Sequence, residues 1–544
     1  MASSTSSDQA HYFIIIIATT ASLLALWLTK KIFILTKKPS PANNRKLRLP
    51  PSPPALPLIG HIHHLASARP LFKTFHALGQ KYGPLLYLRL GSYPVVLVSS
   101  PSLASEIFRT HDVSFAAKPD SPLEDRLLFG DSGFVTAPYG DYWKFVKKLC
   151  VTELLSTRHL DRSRSVRREE VGRLLRKLVA KSEEKAAVDL SVELMTLANN
   201  VTCRMAMSTR CSGEDNEAER CRKLVKESNE LTAKMLLAHM FGPFKRVGYF
   251  LLRRQAKEVP ARCDELLETI LLEHEQRSAA SAAANKRDGD DGPSFDCTNS
   301  DLMDILLRVS KDPDAEIKVT RKNIKAFFLE IFIAGTGTTS DAIVWTMAEL
   351  LNHPTIFKRA RQEIRDLIIG SGNINRLVEE TDIPNLHYLQ AVVKEALRLH
   401  PPVIAAPRVC REACRVGGFD IPKGVAVALN VYSIARDPEV WANPDEFSPE
   451  RFLQSKVEKG FQANGFAAFG GGRRMCPGSN LAFTVICYAV AAMVQCFDWK
   501  VADGEDGVRM ETSLGMTMSL AKPLVCIPQL QVCFDQFQME ASSL

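Results

Sequence analysis

Nothing in this 544-residue sequence repeats, so a solenoid or propeller of stacked units is excluded. Its 13 cysteines lack the short, regular spacings of a disulfide scaffold or a zinc site. An odd, dispersed set fits a reducing compartment in which most are small buried hydrophobes. Charge is weak as a signal: +8 over the whole chain leaves no dense basic stripe of the kind nucleic acid demands, although it suits an acidic partner or a membrane surface. No flavin or nicotinamide motif is present, so any electrons the protein uses come from elsewhere. Apolar mass is plentiful. With 46% hydrophobic residues a sizeable core is available and wholesale disorder is excluded.

The amino end concentrates that apolar mass. Tyr12 to Leu28 ("YFIIIIATTASLLALWL") carries no charge; Lys30 and Lys31 follow, then Ile32 to Leu35, then Lys37 and Lys38. A bilayer core takes roughly 20 apolar residues, a length reached here if the two lysines snorkel. A cleaved signal peptide carries its positive charge ahead of the apolar run. Here the charge follows it, so residues 1–38 read as a retained membrane anchor with the bulk of the protein on the cytoplasmic side. Residues 39–60 read as a stiff hinge, because the five prolines of "LRLPPSPPALPLIG" (Leu47 to Gly60) fix φ and remove donors.

Residues 61–544 are expected to form one large domain, mainly α with a minor β portion. "LYLRLGSYPVVLVSS" (Leu86 to Ser100) alternates and is β-branched, the pattern of a hairpin. Ile356 to Ile368 and Tyr388 to Leu399 carry helical periodicity, and strand-like segments recur near Val416 to Val427 and near the carboxyl end. Ser278 to Ser294 reads as a flexible surface loop.

Three motif matches are set aside. "GDSGF" (Gly130 to Phe134) has the form of a serine-protease nucleophile loop but no accompanying His and Asp motif. "GHIHHL" (Gly60 to Leu65) clusters histidines without Cys or carboxylate support, so a solvated turn is the plainer reading. "GTGTTS" (Gly335 to Ser340) interrupts a helical pattern instead of following a strand, which excludes a dinucleotide loop. That helix is expected from the N-cap Thr320 to Asn352, before Pro354, and is apolar on nearly every face. Two glycines inside it cost roughly 1 kcal/mol each relative to alanine. Either something flat approaches the backbone there or the helix bulges, exposing the Thr338 and Thr339 hydroxyls, or another helix packs closely.

"FGGGRRMCPG" (Phe469 to Gly478) surrounds one sulfur with glycines and arginines. A thiolate needs donors and positive charge to stay ionised in an apolar setting, and glycines let several N–H groups face it. Arginines bind carboxylates in a fork. A ligand with an axial metal position and peripheral carboxylates satisfies all of this, and haem is such a ligand.

In order and spacing Phe469, Gly472, Arg474, Cys476 and Gly478 resemble the haem-binding loop of cytochrome P-450 monooxygenases. Glu395 and Arg398 in "KEALRLHPP" resemble the family's buried Glu-x-x-Arg pair, Arg451 in "FSPERF" its third member, and "AGTGTTS" its oxygen-binding motif. The resemblance covers nearly the whole chain. It implies the cytochrome P-450 fold, haem b (iron protoporphyrin IX) as cofactor, and Cys476 as axial thiolate and metal ligand. Arg474, Arg408 and Trp143 stand where the family contacts haem propionates. Lys147 replaces the usual Arg of a Trp-x-x-x-Arg pattern, keeping the charge but not the fork. Glu395, Arg398 and Arg451 would lock the structure, while Thr338 and Thr339 would serve oxygen activation. Gly337 occupies the position where the family commonly places an acid, so protons would come by water, Thr339 or the substrate.

Anchor, hinge, "VTELL" and "IARDPEVWANPDEFSPERF" resemble the plant A-type branch, nearest the flavone and isoflavone synthases and triterpenoid hydroxylases. That implies hydroxylation or desaturation of a hydrophobic flavonoid or triterpenoid at the endoplasmic reticulum membrane. NADPH would act only indirectly, through a reductase partner; no nucleic acid partner and no oligomer are required. The pocket is expected from Leu128 to Val135, Phe327 to Ala334, Val403 to Ala406 and Ser513 to Met516, mostly apolar with few charges. Two other functions compete: a reductase-independent haem-thiolate isomerase or dehydratase, and a catalytically silent haem-binding protein.

Overall fold

A computed structural model describes residues 47–531, except 58, 66–68, 119–131, 211–214, 241–244, 288–300, 373–375, 454–467, 503–506 and 515–516. The expected anchor (1–38) and the first part of the hinge (39–46) lie outside these residues. The architecture is mainly helical with a minor sheet portion, as the composition of the segments implied. The expected hairpin is β1 (Leu85–Leu90) and β2 (Tyr93–Val98), with Leu85 opposite Val98. It joins β3 (Ala405–Val409) and β4 (Ala426–Asn430) in the order β1-β2-β4-β3, with β4 parallel to β2 and antiparallel to β3. A second sheet pairs β5 (Phe497–Val501) with β6 (Val525–Leu530), and Val188–Asp189 adds to its edge.

The helices that build the site are α1 (Asp141–Leu149), α2 (Leu190–Met207), α3 (Arg321–Asn352), α4 (His387–Leu399) and α5 (Ser479–Cys496). α3 begins where its sequence says it should. The Thr320 hydroxyl accepts from the Asn323 amide, and the Asn323 side chain accepts in return from the Thr320 amide. Both α3 and α5 are long and apolar enough to cross a membrane, yet they supply the centre of the main core through residues such as Phe327, Ile343, Leu350, Val490 and Met493. Each is apolar because it is surrounded by protein.

The two glycines of α3 turn out to do different things, and no bulge forms. The helix stays α-helical through both. A Cβ on Gly335 would stand 2.8 Å from Thr202 Oγ1, so this glycine lets α2 pack closely. A Cβ on Gly337 would meet nothing within 4 Å.

Two sequence expectations need correction. The helix Gln255–Arg287 continues through Ser278 to Arg287, because its alanine-rich stretch favours helix over loop; residues 288–294 lie outside the described ones. His61 is not in a solvated turn. It is 1% exposed, its Nε2 donating to Pro53 O (2.9 Å) and its Nδ1 accepting from the Arg89 amide (2.8 Å). With the Tyr87 amide on Pro51 O (2.8 Å), it stitches the proline segment onto β1, while the Arg48 amide on Asp420 Oδ2 (2.8 Å) ties that segment to a separate two-stranded sheet, Cys414–Val416 with Phe419–Ile421.

The Glu395–Arg398–Arg451 network is assembled. Arg398 binds Glu395 in a fork, Nε to Oε2 at 2.7 Å and its terminal amine to Oε1 at 2.8 Å; Arg451 Nε adds a third contact at 2.8 Å. Arg398 also donates to the carbonyls of Ala435 (2.8 Å) and Pro444 (2.7 Å), and Arg451 to that of Ala442 (2.9 Å). One buried ion cluster thereby fixes the backbone of 435–451. Breaking it at one member leaves a buried charge uncompensated, at a cost of about 3–5 kcal/mol. Glu395→Ala is expected to lower the free energy of unfolding, read by denaturant titration, by that amount; a loss under about 1 kcal/mol, the scale of a surface pair, would show that the cluster holds nothing.

Candidate active site

The cysteine loop lies against the segment 101–112, and its glycines record that contact. Gly472 has φ 65°, and a Cβ there would stand 2.3 Å from Asp112 Oδ1; on Gly471 it would stand 2.5 Å from the Phe108 ring. Asp112 accepts from the Arg473 amide (2.8 Å) and pairs with its guanidinium at 3.1 Å. The Cys476 amide donates to Phe469 O at 2.9 Å, closing the loop on itself. The Gly478 amide is the backbone group that favours the ionised sulfur. Burial raises the Cys476 thiol's pKa, and the Gly478 contact pulls the other way. Gly478 borders a cavity, and a Cβ on it would meet nothing.

Two adjoining cavities meet at that sulfur. The larger spans about 1220 Å³, part of it open to solvent; its wall includes Cys476, Phe469, Trp143, Lys118, Arg408, Arg474, Thr338 and Thr339. The smaller, of about 880 Å³, shares Cys476, Thr338 and Thr339 and extends past Leu154, Val201 and Glu330.

Three cations face this space without an ion-pair partner among the described residues. Burial pulls Lys118 down to about 7, with Arg408 and Arg474 adding to the effect, and pulls Arg408 and Arg474 down to about 10. Arg474 uses donors on the carbonyls of Ala116 (2.8 Å) and Ala137 (2.6 Å), and Arg408 on Pro407 O (3.0 Å). The Trp143 indole N–H is buried with no acceptor, and the Arg474 guanidinium sits 4.3 Å over its ring. Desolvated like charges beside an idle donor call for an anion. An iron porphyrin, with two peripheral carboxylates and an axial position for sulfur, answers every one of these demands, so the residues fit haem.

Lys147 is placed differently. Its ammonium donates to Arg473 O and lies 5.0 Å over the Trp143 ring, off the cavity wall. It supports the loop from behind. Gly472 is likewise packed behind the loop, and Gly337 is not on either cavity wall. Thr338 and Thr339 are on both, with Thr338 Oγ1 donating to Ala334 O at 2.6 Å. Of the expected pocket segments, Phe134, Val135, Ile331, Ala334, Val403 and Ala405 line the space; 128–131 and 515–516 lie outside the described residues.

The sequence reading missed Lys118 and Asp341, and it included Glu330 only as part of an expected pocket segment, Phe327 to Ala334, without singling it out. Lys118 is a lone cation in "SFAAKPDSP". Glu330 and Asp341 are acids in a helix otherwise apolar on that stretch, and Glu330, Ala334, Thr338 and Asp341 fall in one row along its face. Glu330 accepts from the Val135 amide (2.6 Å), the Thr136 amide (3.1 Å) and the Thr136 hydroxyl (2.8 Å). Burial raises its pKa against those bonds. A Cβ on Gly133 would stand 2.3 Å from its carboxyl carbon. The last glycine of "GDSGF" therefore makes room for a carboxylate that fastens the loop to α3.

The sequence model of the cytochrome P450 family matches residues 50–527. Cytochrome P450 705A22 of Arabidopsis thaliana is 43% identical over 502 residues, covering 91% of this chain and 93% of its own. The 3,9-dihydroxypterocarpan 6A-monooxygenase of Glycine max is 41% identical over 508 residues, covering 91% and 95%. A solved structure of a zebra fish cytochrome P450 with abiraterone superposes with a TM-score of 0.69 at 25% identity, covering 85% of this chain and all of that one.

Gly133→Ala drives a methyl group into the Glu330 carboxylate. Overpacking of this kind costs about 1–3 kcal/mol, so the melting temperature is expected to fall. Adding Glu330→Asp, which withdraws the carboxylate by one methylene, is expected to recover part of that loss. An alanine variant as stable as the parent would show that the carboxylate is not held against the loop.

Proposed function

The chain belongs to the cytochrome P450 family, and on that premise we propose that Cys476 is the thiolate ligand of its haem and that the enzyme oxidises a hydrophobic plant secondary metabolite of flavonoid or triterpenoid type. As a cytochrome P450 monooxygenase it works with haem and with electrons that a reductase supplies from NADPH. One juxtaposition supports the residue assignments: the Cys476 sulfur and the Thr338 hydroxyl line a single cavity with Arg408, Arg474 and the Trp143 N–H. In this reading Arg474, Arg408 and Trp143 take the propionates, and Lys118 joins them. Burial disfavours the free thiolate, so Cys476 ionises against a metal cation. Once bound, haem supplies the redox chemistry that splits dioxygen and oxidises the substrate.

The protein's own part is to orient and to exclude water. Phe134, Val135, Leu154, Val201 and Val403 give the substrate an apolar wall. Glu330 holds the loop that carries the first two of these in place. Hydroxylation or desaturation fits such a pocket, and the similarity to a pterocarpan monooxygenase favours a hydroxylated polycycle. Residues 1–38 would anchor the enzyme to the endoplasmic reticulum with its catalytic body in the cytoplasm.

Reduced, carbon monoxide-treated protein is expected to show the long-wavelength Soret band of thiolate ligation, and Cys476→Ser to lose it. Microsomes containing the chain, a reductase and NADPH are then expected to convert members of a flavanone and triterpene panel. Absence of the band from the parent protein would overturn the ligand assignment; turnover without reductase would overturn the monooxygenase reading.

A further inference from the structure

Monooxygenation places one oxygen atom in the substrate and releases the other as water, which consumes two protons together with the two electrons that the reductase delivers. Those protons must reach a cavity whose walls are largely apolar. Of the two acids that share a row of α3 with Thr338, Glu330 is committed to its loop. Asp341 is not. It stands three residues beyond Thr338 and four beyond Gly337, one turn along the same face.

Its single hydrogen-bond donor among the described residues is Ser519 Oγ, at 2.7 Å, and it makes no ion pair there. Ser519 Oγ lies 3.3 Å from Thr517 Oγ1. Both belong to the segment closed by the pairing of Thr512 with Leu520, in which Leu514 is 71% exposed. Two half-buried hydroxyls, Thr517 and Ser519, thus lead to the half-buried Asp341 carboxyl. On the other side, Gly337 leaves free space where a side chain would otherwise stand beside Thr338. The charged groups further along α3 are occupied with each other: His400 Nε2 and Glu349 Oε1 are 2.6 Å apart, past Trp345. A desolvated carboxyl with one donor is costly, and an amide would accept from Ser519 equally well, so anchoring the 512–520 segment does not explain the acid.

We propose that Asp341 holds and delivers the protons that the reaction consumes beside Thr338, an inference that rests on the monooxygenase reading above. The Asp341 O–H bond breaks, and its proton passes through a water in the space beside Gly337 to Thr338 Oγ1. The hydroxyl, turned from Ala334 O, passes its own proton on to the oxygen that leaves as water. The carboxylate left behind takes a proton from Ser519 Oγ, which is resupplied from Thr517 and solvent; no electron moves in these steps. Burial holds the Asp341 carboxyl up to about 7, so both of its protonation states are populated near neutrality.

The test uses the purified holoenzyme with its reductase. Asp341→Asn retains an oxygen for Ser519 but has no acidic proton. It is expected to keep its haem and its melting temperature, to go on consuming NADPH, and to form about tenfold less product per NADPH. Gly337→Asp in the Asp341→Asn background is expected to restore coupling by placing an acid one turn back. Infrared difference spectra, which do not depend on turnover, are expected to show a protonated carboxyl band in the parent that titrates near neutrality and is absent from Asp341→Asn. Unchanged coupling in Asp341→Asn, or no such band in the parent, overturns the inference and leaves the monooxygenase reading standing. A coupling loss accompanied by a lower melting temperature, and not restored by Gly337→Asp, assigns Asp341 a structural role and also overturns it. A parent enzyme without the thiolate band or without reductase-dependent turnover overturns both readings.

Discussion

Positive charge without a counter-ion governs this protein. Lys118, Arg408 and Arg474 are buried or half-buried around one cavity and make no ion pair among the described residues. Mutual repulsion and lost hydration are tolerated because the surrounding carbonyls absorb part of the cost: Ala116 and Ala137 hold Arg474. The remainder is relieved only by an anion. Ligand binding and folding of this region are therefore one equilibrium, in which a tightly bound dianion adds to stability in proportion to the logarithm of its concentration over Kd. The unmatched Trp143 N–H belongs to the same account.

Around that charge, the central helix divides its labour by position. Gly335 gives up its side chain so that α2 can approach, while Gly337 gives up its own and leaves room. Glu330 ties down a loop through three hydrogen bonds, while Asp341 is left with a single hydroxyl. A helix that looks uniformly apolar thus carries four separate instructions. The rest of it is largely core, as the burial of Phe327, Ile343 and Leu350 shows.

Much of this was legible in the sequence where a local rule is strong. Thr320 and Pro354 bracket α3, the alternation around Gly91 and Ser92 marks a hairpin, and the spacing within Phe469 to Gly478 marks the sulfur loop. What was not legible depends on which way a side chain faces. Lys118 lies in a segment with no periodic pattern, so nothing local shows that it stands beside two arginines. Glu330 and Asp341 sit in a row with Thr338, but the surrounding apolar residues satisfy a core reading on every face and hide the row. The stretch from Ser278 to Arg287 was misread because alanine, serine and charged residues serve loops and exposed helices alike. His61 was misread because two hydrogen bonds to distant backbone, which no short motif encodes, hold it inside.

Those two bonds, with the Pro51 contact, rivet the proline segment to the β1 edge, and Arg48 fastens it to the neighbouring two-stranded sheet. A swivel is thereby removed. Whatever bearing the chain takes at Pro51 passes through β1 and β2 to β4 and on to β3, which carries Arg408 at the cavity. Lengthening or loosening the chain ahead of Leu47 would change how far the body can roam, yet the angle between the riveted segment and the cavity would stay as the sheet sets it.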